Sequence, residues 1–288
     1  MIRSMTGFAR AERAAGGFVL AWELRSVNHR YLEVGLRVPD ELRAVEGEFR
    51  RAIGVAARRG KVDASLSIRA QAAGLRELEL DDALLDRLLE HALAVQRRLG
   101  AAGRVDAVDL LRWPGVMRDA NRDVAALVAA AQSLLDEALG AFTASRAGEG
   151  ERITQMLATR GQAVRRIADA VSARLPEVQA RIRARLQERL AAFTAEANAE
   201  RIEQEVVILL TKMDVAEELD RLRSHVEELN ASLAADEAVG RKLDFLMQEF
   251  NREANTLSSK SQDVETTRAA VELKVLIEQM REQIQNVE

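Results

Sequence analysis

Apolar and polar residues follow two different periods along this 288-residue chain. Residues 18–25 alternate apolar and polar side chains, which is the period of a half-buried strand. Similar alternation predicts a first strand near residues 5–11, a third over 32–38 and a fourth over 61–70. Asp40 as the cap and Arg58-Arg59-Gly60 as the closing signal predict a helix over residues 41–58. The beginning of the chain is therefore expected to form a compact sheet-and-helix unit of the α+β class.

Beyond this unit the helical period dominates. It predicts helices over residues 81–99 and 122–145, with a short one before Trp113-Pro114-Gly115. From Gly148 apolar residues step as heptads to residue 193 across Pro176, which predicts a helical hairpin or a coiled-coil arm bent at the proline. The chain then divides into a basic α+β domain, a helical connecting region, this arm and an acidic helical domain. Their predicted ranges are 1–76, 77–147, 148–200 and 201–288.

Residues 214–260 predict two amphipathic helices with polar stripes beside their apolar seams. The first seam runs from Val215 to Leu233 and the second from Val239 to Leu257. The polar stripes contain Asp214, Glu218, Arg221 and His225 on the first helix, and Lys242, Glu249, Glu253 and Lys260 on the second. If the helices pack as a hairpin, carboxylates and a histidine of one meet carboxylates and cations of the other. A last helix over residues 263–287 has a regular seam that predicts packing on another helix, within the chain or between subunits.

Charge is unevenly distributed along the chain. The net charge is −4, yet residues 1–76 contain 14 Lys and Arg against 8 Asp and Glu, and residues 196–288 contain 11 against 21. A basic beginning and an acidic end are typical of a polyanion-binding domain joined to a carboxylate-rich one, although charge placed for solubility explains them equally well. Cysteine is absent, which excludes disulfides and thiolate metal sites. The first residues lack a signal-peptide pattern, and a cytoplasmic protein is expected.

The acidic stripe of the first helix is a candidate metal site. Asp214, Glu218 and His225, with Glu217 and Asp220 beside them, offer hard oxygen ligands and one imidazole, a set that suits Mg²⁺ or Mn²⁺. The alternative is a solvated helix face on which Glu217 pairs with Arg221 four residues later. Glu249 and Glu253 of the second helix have the same two interpretations.

The basic segments near the amino terminus are candidate phosphate contacts. Arg3 lies in one of them, and Arg25, Asn28, Arg30 and Tyr31 lie in the connection after the second strand. Arginine forms bidentate contacts with phosphate, and a tyrosine can stack on an unpaired base. The alternative is a charged loop with its tyrosine packed on the sheet.

Several segments resemble the YicC/YloC family of bacterial endoribonucleases. They are M-I-R-S-M-T-G-F-A-R at the start, W-E-L-R-S-V-N-H-R-Y-L-E of residues 22–33, R-G-K-V of residues 59–62, D-V-A-E-E-L-D-R-L-R-S-H of residues 214–225 and G-R-K-L-D-F-L-M-Q-E-F-N-R-E-A-N-T-L-S-S-K of residues 240–260. The resemblance implies a divalent-metal-dependent endoribonuclease that acts in RNA turnover and assembles as a homohexamer enclosing its RNA.

The expected residue roles follow from these segments. Catalytic residues are expected to be His225, Glu218, Glu249 and Glu253. Metal ligands are expected to be Asp214, Glu217, Glu218, Asp220, His225 and Glu249. RNA contacts are expected to be Arg3, Arg25, Asn28, Arg30, Tyr31, Lys61, Arg221 and Lys242.

Two alternatives to metal-dependent hydrolysis stay open. In the first, the RNA 2′-hydroxyl attacks with His225 as general base, and the product carries a 2′,3′-cyclic phosphate. In the second, the chain is a non-catalytic, oligomeric RNA-binding adaptor that recruits another nuclease.

Overall fold

A computed structural model describes residues 2–70, 78–100, 104–119, 124–191, 204, 207–208, 211, 213–235 and 239–288. The strands are β1 (Gly7–Ala15), β2 (Phe18–Val27), β3 (Leu32–Arg37), β4 (Gly60–Ala70), β5 (Leu78–Leu80) and β6 (Met117–Asp119). The helices are α1 (Glu46–Ala56), α2 (Asp82–Leu99), α3 (Ala107–Leu111), α4 (Val124–Ala191), α5 (Ala216–Ala234), α6 (Gly240–Lys260) and α7 (Val264–Ile284), with a 3₁₀ turn over Asp40–Val45. The α+β prediction is confirmed.

A four-stranded sheet forms the amino-terminal part of the fold, in the order β1-β2-β4-β3. The β1–β2 and β2–β4 pairs are antiparallel, whereas β3 lies parallel to β4. Gly16 and Gly17 connect β1 to β2 with φ of 56° and 78°, a conformation that glycine adopts without steric cost. Apolar residues on one face of β2, such as Trp22, are fully buried against α1 and α4. The alternation read from the sequence therefore identified the core face of this strand.

Helix α4 runs for 68 residues and belongs to two hydrophobic cores. Its first half, from Leu127 to Phe142, packs on the sheet, and its second half, from Ile153 to Val171, packs on α5 and α7. The predicted helix end near residue 145 is wrong, and so is the helical hairpin at Pro176, which is an exposed position inside the helix. The coiled-coil arm stays a prediction. Because α4 serves both cores, the division into four domains stays a prediction. Residues 192–200 of the predicted arm lie outside the described residues.

A glycine in the middle of α4 allows a close approach of the backbone. A Cβ on Gly150 would overlap with the carbonyl group of Ile2, whereas one on Gly148 would meet nothing. The amino-terminal segment therefore crosses α4 at Gly150 and pairs with the other end of the chain through a bridge between Ser4 and Val287.

A buried arginine joins the two cores where this crossing occurs. Arg146 is 1% exposed, and it donates hydrogen bonds to the carbonyl oxygens of Ser4 (2.7 Å) and Ala56 (3.1 Å). It also forms an ion pair with Glu288, whose other oxygen accepts the backbone N–H of Arg58 at 2.6 Å. Burial lowers the pKa of Arg146. The last residue of the chain thus neutralises a charge between the sheet and the helices.

One stretch of α4 is long and apolar enough, by length and composition, to cross a membrane. That stretch supplies Leu127, Leu134 and Phe142 to the core beneath the sheet. On its outer side Glu137 pairs with Arg13 of β1 at 2.7 Å. Packing on the sheet accounts for the buried apolar residues of this stretch.

Candidate functional site

Helices α5 and α6 pack against each other, as their seams predicted, and α7 covers α6 from the other side. The first seam is buried at Val215, Leu219, Leu222, Val226, Leu229 and Leu233, and the second at Val239, Leu243, Leu246, Phe250, Ala254 and Leu257. Helix α7 also packs its predicted seam within the chain. Burial of these seams fixes the rotation of each helix, so the polar stripes at their edges meet across the α5–α6 contact.

His225, Glu249 and Glu253 form the candidate metal group. One ligand atom from each lies within 4.8 Å of the other two. Glu253 is 2% exposed, whereas His225 and Glu249 are half-buried. The Nε2 atom of His225 is buried and has no hydrogen-bond partner among the described residues. The edge of Phe250 packs on the imidazole with ring centroids 5.5 Å apart, which holds the ring towards the carboxylates.

These side chains fit a divalent cation. Two carboxylates and one imidazole are suitable ligands for Mg²⁺ or Mn²⁺. A bound cation would also give a buried ring nitrogen the partner that it lacks among the described residues. Glu253 was expected from the sequence to be a catalytic residue, and the structure places it beside the two predicted ligands His225 and Glu249.

Arg221 lies beside this group and connects it to Glu217. Its Nη1 donates to Glu253 at 3.3 Å, and its Nη2 pairs with Glu217 one turn earlier on α5. These two carboxylates raise the pKa of Arg221, first through the hydrogen bond to Glu253 and then through the charge of Glu217. The exposed Glu217 side chain therefore pairs with Arg221, as the alternative interpretation of this helix face proposed, while Arg221 orients Glu253.

Glu218 lies in a second, separate contact near the start of α5. It is 6% exposed, and its Oε1 accepts a hydrogen bond from Lys260 at 2.7 Å. Lys260 also donates to the carbonyl oxygen of Asp214 at 2.9 Å. The other carboxylate oxygen of Glu218 is buried and has no partner among the described residues. Among the described residues, Lys260 is thus the one cationic side chain paired with the buried carboxylate of Glu218.

The remaining predicted residues of the acidic domain lie outside the candidate metal group. Asp220 pairs with Arg223 at 2.6 Å on a different face of α5. The carboxylate of Asp214 accepts the backbone N–H of Ala216 at 3.0 Å, and Lys242 pairs with Glu228 at 3.6 Å. Of the six expected metal ligands, the structure therefore brings only His225 and Glu249 together with Glu253.

The predicted RNA contacts of the sheet domain are exposed or half-buried and lie on several segments. The guanidinium of Arg30 stacks over the Tyr31 ring at 5.3 Å, and that ring is 64% exposed. Lys61 pairs with Glu33 at 3.5 Å. Arg25 is exposed on β2, and Arg3 is exposed in the amino-terminal segment. The exposed tyrosine contradicts the alternative in which it packs on the sheet.

A cleft of about 430 Å³ brings the predicted RNA contacts Asn28 and Arg30 together with three arginines that the sequence did not group with them. Its polar lining is Asn28, Arg30, Arg59, Arg241, Asp244, Arg281 and Gln285. No single segment of the sequence signals this cluster, because its arginines come from the sheet end, the start of α6 and the end of α7. Three of them do lie inside motifs that carry the family resemblance.

Comparison with known proteins gives matches along nearly the whole chain. The family described as "Endoribonuclease YicC-like, N-terminal region" matches residues 2–155, and "Endoribonuclease YicC-like, C-terminal" matches residues 171–288. A protein of Haemophilus influenzae named "Probable endoribonuclease YicC" is 41% identical over 288 residues and covers all of both chains. A protein of Clostridioides difficile with the same name is 28% identical over 295 residues, again across both full lengths.

Proposed function

The chain belongs to the YicC-like endoribonuclease family, and from this premise we propose that it cleaves RNA phosphodiester bonds with a divalent cation bound by His225, Glu249 and Glu253. Two observations support this proposal: a ring nitrogen of His225 lies within 4.8 Å of carboxylate oxygens of Glu249 and Glu253, and the buried Nε2 of the same ring has no partner among the described residues. A bound Mg²⁺ or Mn²⁺ supplies an activated water and offsets charge that develops on the phosphate.

The surrounding side chains have positioning roles in this proposal. Arg221 holds the carboxylate of Glu253 in place. Glu249 supplies the second carboxylate of the metal group. The edge contact with Phe250 orients His225. Glu218 is proposed as a further catalytic residue because its buried carboxylate has an oxygen that no described donor satisfies. Asp214, Glu217 and Asp220 do not belong to the group of ligand atoms within 4.8 Å, so they are not proposed as direct ligands of the same cation.

RNA contacts are proposed on the exposed basic residues. Arg3, Arg25, Asn28, Arg30 and Tyr31 contribute guanidinium groups, an amide and an exposed aromatic face. Arg221, Lys61 and Lys242 complete the proposed set, and each is already paired with a carboxylate, so their contributions are expected to be smaller. Because phosphate contacts release counterions, binding is expected to weaken steeply with salt.

We also propose a cytoplasmic homohexamer that acts in RNA turnover. Exposed apolar residues on α2 and α3 support self-association, because contiguous exposed apolar surface commonly marks an interface. The number of subunits rests on the family resemblance alone. RNA cleavage through the 2′-hydroxyl with His225 as general base stays an alternative, since its unpartnered Nε2 suits a base as well as a ligand.

The decisive experiment incubates purified protein with an end-labelled structured RNA in Mn²⁺, in Mg²⁺ and in EDTA. Cleavage with either metal but not with EDTA supports the proposal, and 5′-phosphate with 3′-hydroxyl ends support metal-activated water. Cyclic phosphate ends in EDTA would favour the 2′-hydroxyl route instead. Binding without cleavage under both metals would favour the adaptor.

Variants connect the activity to the site. Glu249→Gln and His225→Asn are expected to lower the cleavage rate by roughly 100-fold or more. Glu265→Gln is the matched control, because that carboxylate is exposed on α7 and pairs only with Arg268 among the described residues. Wild-type rates in the two site variants would refute the assignment of these residues.

A further inference from the structure

The basic cleft joins the two halves of the fold. Arg30 and Arg59 reach it from the ends of β2 and α1, Arg241 from the first turn of α6, and Arg281 from the last turns of α7. Asp244 is the one carboxylate in its lining among the described residues. Four guanidinium groups against one carboxylate give the lining of the cleft a net positive charge.

Interactions within the protein leave these guanidinium groups available. Arg59 donates through Nε to the carbonyl oxygen of Arg30 at 3.4 Å, a neutral acceptor. Arg281 approaches Glu278 at 3.7 Å in an exposed pair, which contributes little. Arg241 forms no ion pair with a carboxylate in the described part of the chain, and Arg30 stacks on Tyr31. Four like charges with one carboxylate among them repel one another, so an anionic ligand would relieve the repulsion.

The backbone around the cleft is tightly packed. A Cβ on Gly240 would lie 2.9 Å from the carbonyl oxygen of Val287 and 4.0 Å from a guanidinium nitrogen of Arg59. Glu288 accepts the backbone N–H of Arg59 at 3.1 Å while it neutralises Arg146. The carboxyl-terminal residues are therefore fixed between the sheet and α6, and they hold the arginines at defined positions.

A polar groove continues from the cleft along α6. Arg281 lines both, and the groove is also lined by Gln248, Asn251, Arg252 and Asn255. Eight residues separate Arg241 from Glu249 of the metal group, about 12 Å of helix. An extended chain of phosphates that enters the cleft can therefore continue along this polar face of α6.

We propose that this cleft, centred on Arg59, Arg241 and Arg281, binds the phosphate backbone of the RNA substrate away from the bond that is cut. The proposal rests on the proposed nuclease function for the identity of the ligand. Arginine suits this role because its planar donor groups match phosphate oxygens. Contacts of this kind hold and orient the substrate without reading its sequence.

The test measures binding of a fluorescent single-stranded RNA by anisotropy in EDTA over a series of salt concentrations. Arg241→Gln and Arg281→Gln are each expected to raise Kd about tenfold and to lower the salt slope by about 0.7 for each phosphate that the variant no longer neutralises. Arg268→Gln is the control, because Arg268 is exposed on α7 and does not line the cleft. Asp244→Asn removes the carboxylate from the cleft and is expected to lower Kd. A variant that had merely unfolded would bind RNA more weakly, so tighter binding cannot be an effect of unfolding.

The result that overturns the proposal is a Kd and a salt slope in Arg241→Gln and Arg281→Gln equal to those of Arg268→Gln. An unchanged Kd in Asp244→Asn would count equally against it. Cleavage assays with Mn²⁺ separate the two proposals. Wild-type protein that cuts RNA while the cleft variants bind normally refutes only the cleft. Protein that never cuts RNA, but whose cleft variants bind RNA more weakly, refutes only the nuclease.

Discussion

Metal binding by His225, Glu249 and Glu253 predicts that Mn²⁺ raises the free energy of unfolding. The folded chain brings the three ligand atoms within 4.8 Å of one another, whereas the unfolded chain separates them. A cation that binds only the folded state stabilises it by RT ln(1 + [L]/Kd), about 2.7 kcal/mol at a free concentration of 100 Kd. The increase does not depend on RNA or on catalysis.

Glu249→Gln removes one ligand and one negative charge. At up to 4.8 Å and an effective dielectric constant of about 20, two carboxylates repel by about 3 kcal/mol. Solvent screens part of this repulsion because the Glu249 side chain is 28% exposed, and Arg221 offsets more of it at 3.3 Å from Glu253. In EDTA the variant is therefore expected to be at least as stable as wild type. In Mn²⁺ it is expected to lose most of the metal-dependent stabilisation.

The assay is urea unfolding followed by far-ultraviolet circular dichroism, in EDTA and in millimolar MnCl₂. Glu265→Gln is the matched control, since it removes one exposed carboxylate of α7 and should keep the full stabilisation. Equal unfolding free energies of wild type in both solutions would refute the reasoning. An equal stabilisation of Glu249→Gln by Mn²⁺ would refute it as well.

Three further predictions concern stability, each measured by chemical unfolding. Glu288→Ala leaves the Arg146 charge buried without its partner and should cost about 3–5 kcal/mol; a loss below about 1 kcal/mol would contradict this role. Asp263 is buried, which raises its pKa, but hydrogen bonds from two arginines and a backbone N–H lower the pKa to about 2. Because the pKa of Asp263 is lower in the folded chain than the unfolded value near 4, its ionised carboxylate stabilises the fold above pH 4, and this stabilisation is lost as pH falls towards 2. Asp263→Asn should therefore cost about 1 kcal/mol of unfolding free energy at pH 7 and nothing near pH 2. A cost that does not change with pH would refute this prediction. Gly150→Ala should destabilise α4 by steric overlap, whereas Gly148→Ala in the same helix should stabilise it by up to about 1 kcal/mol; equal effects would show that the amino-terminal segment does not need this glycine.

Local patterns predicted most of the secondary structure. The alternation in β2 and the seams of α5, α6 and α7 identified faces that the fold buries, because burial of apolar side chains requires the period of the element. The same patterns failed in the middle of α4, where they predicted a helix end near residue 145. Gly150 lies against a segment almost 150 residues earlier in the chain, and periodicity contains no information about such a contact.

The candidate site shows the same division. The sequence placed His225 on one polar stripe and Glu249 and Glu253 on another, and a hairpin of the two helices followed from their seams. It could not decide which carboxylates meet the histidine, because Glu217, Glu218 and Asp220 are also acidic and lie within eight residues of it. The directions of the side chains in the fold exclude these three from the group, because Glu217 pairs with Arg221, Glu218 with Lys260 and Asp220 with Arg223.

The amino-acid sequence by itself determined which residues must be buried and which stripes of charge stand beside them, since a period of 2 or 3.6 fixes a face within each element. Only the tertiary structure decided how faces from distant elements combine. Arg59, Arg241 and Arg281 share a cleft because the two ends of the chain meet beside α4, where Glu288 neutralises Arg146. Contacts of that kind depend on the direction in which whole elements cross, and this direction is set by the packing of the entire core.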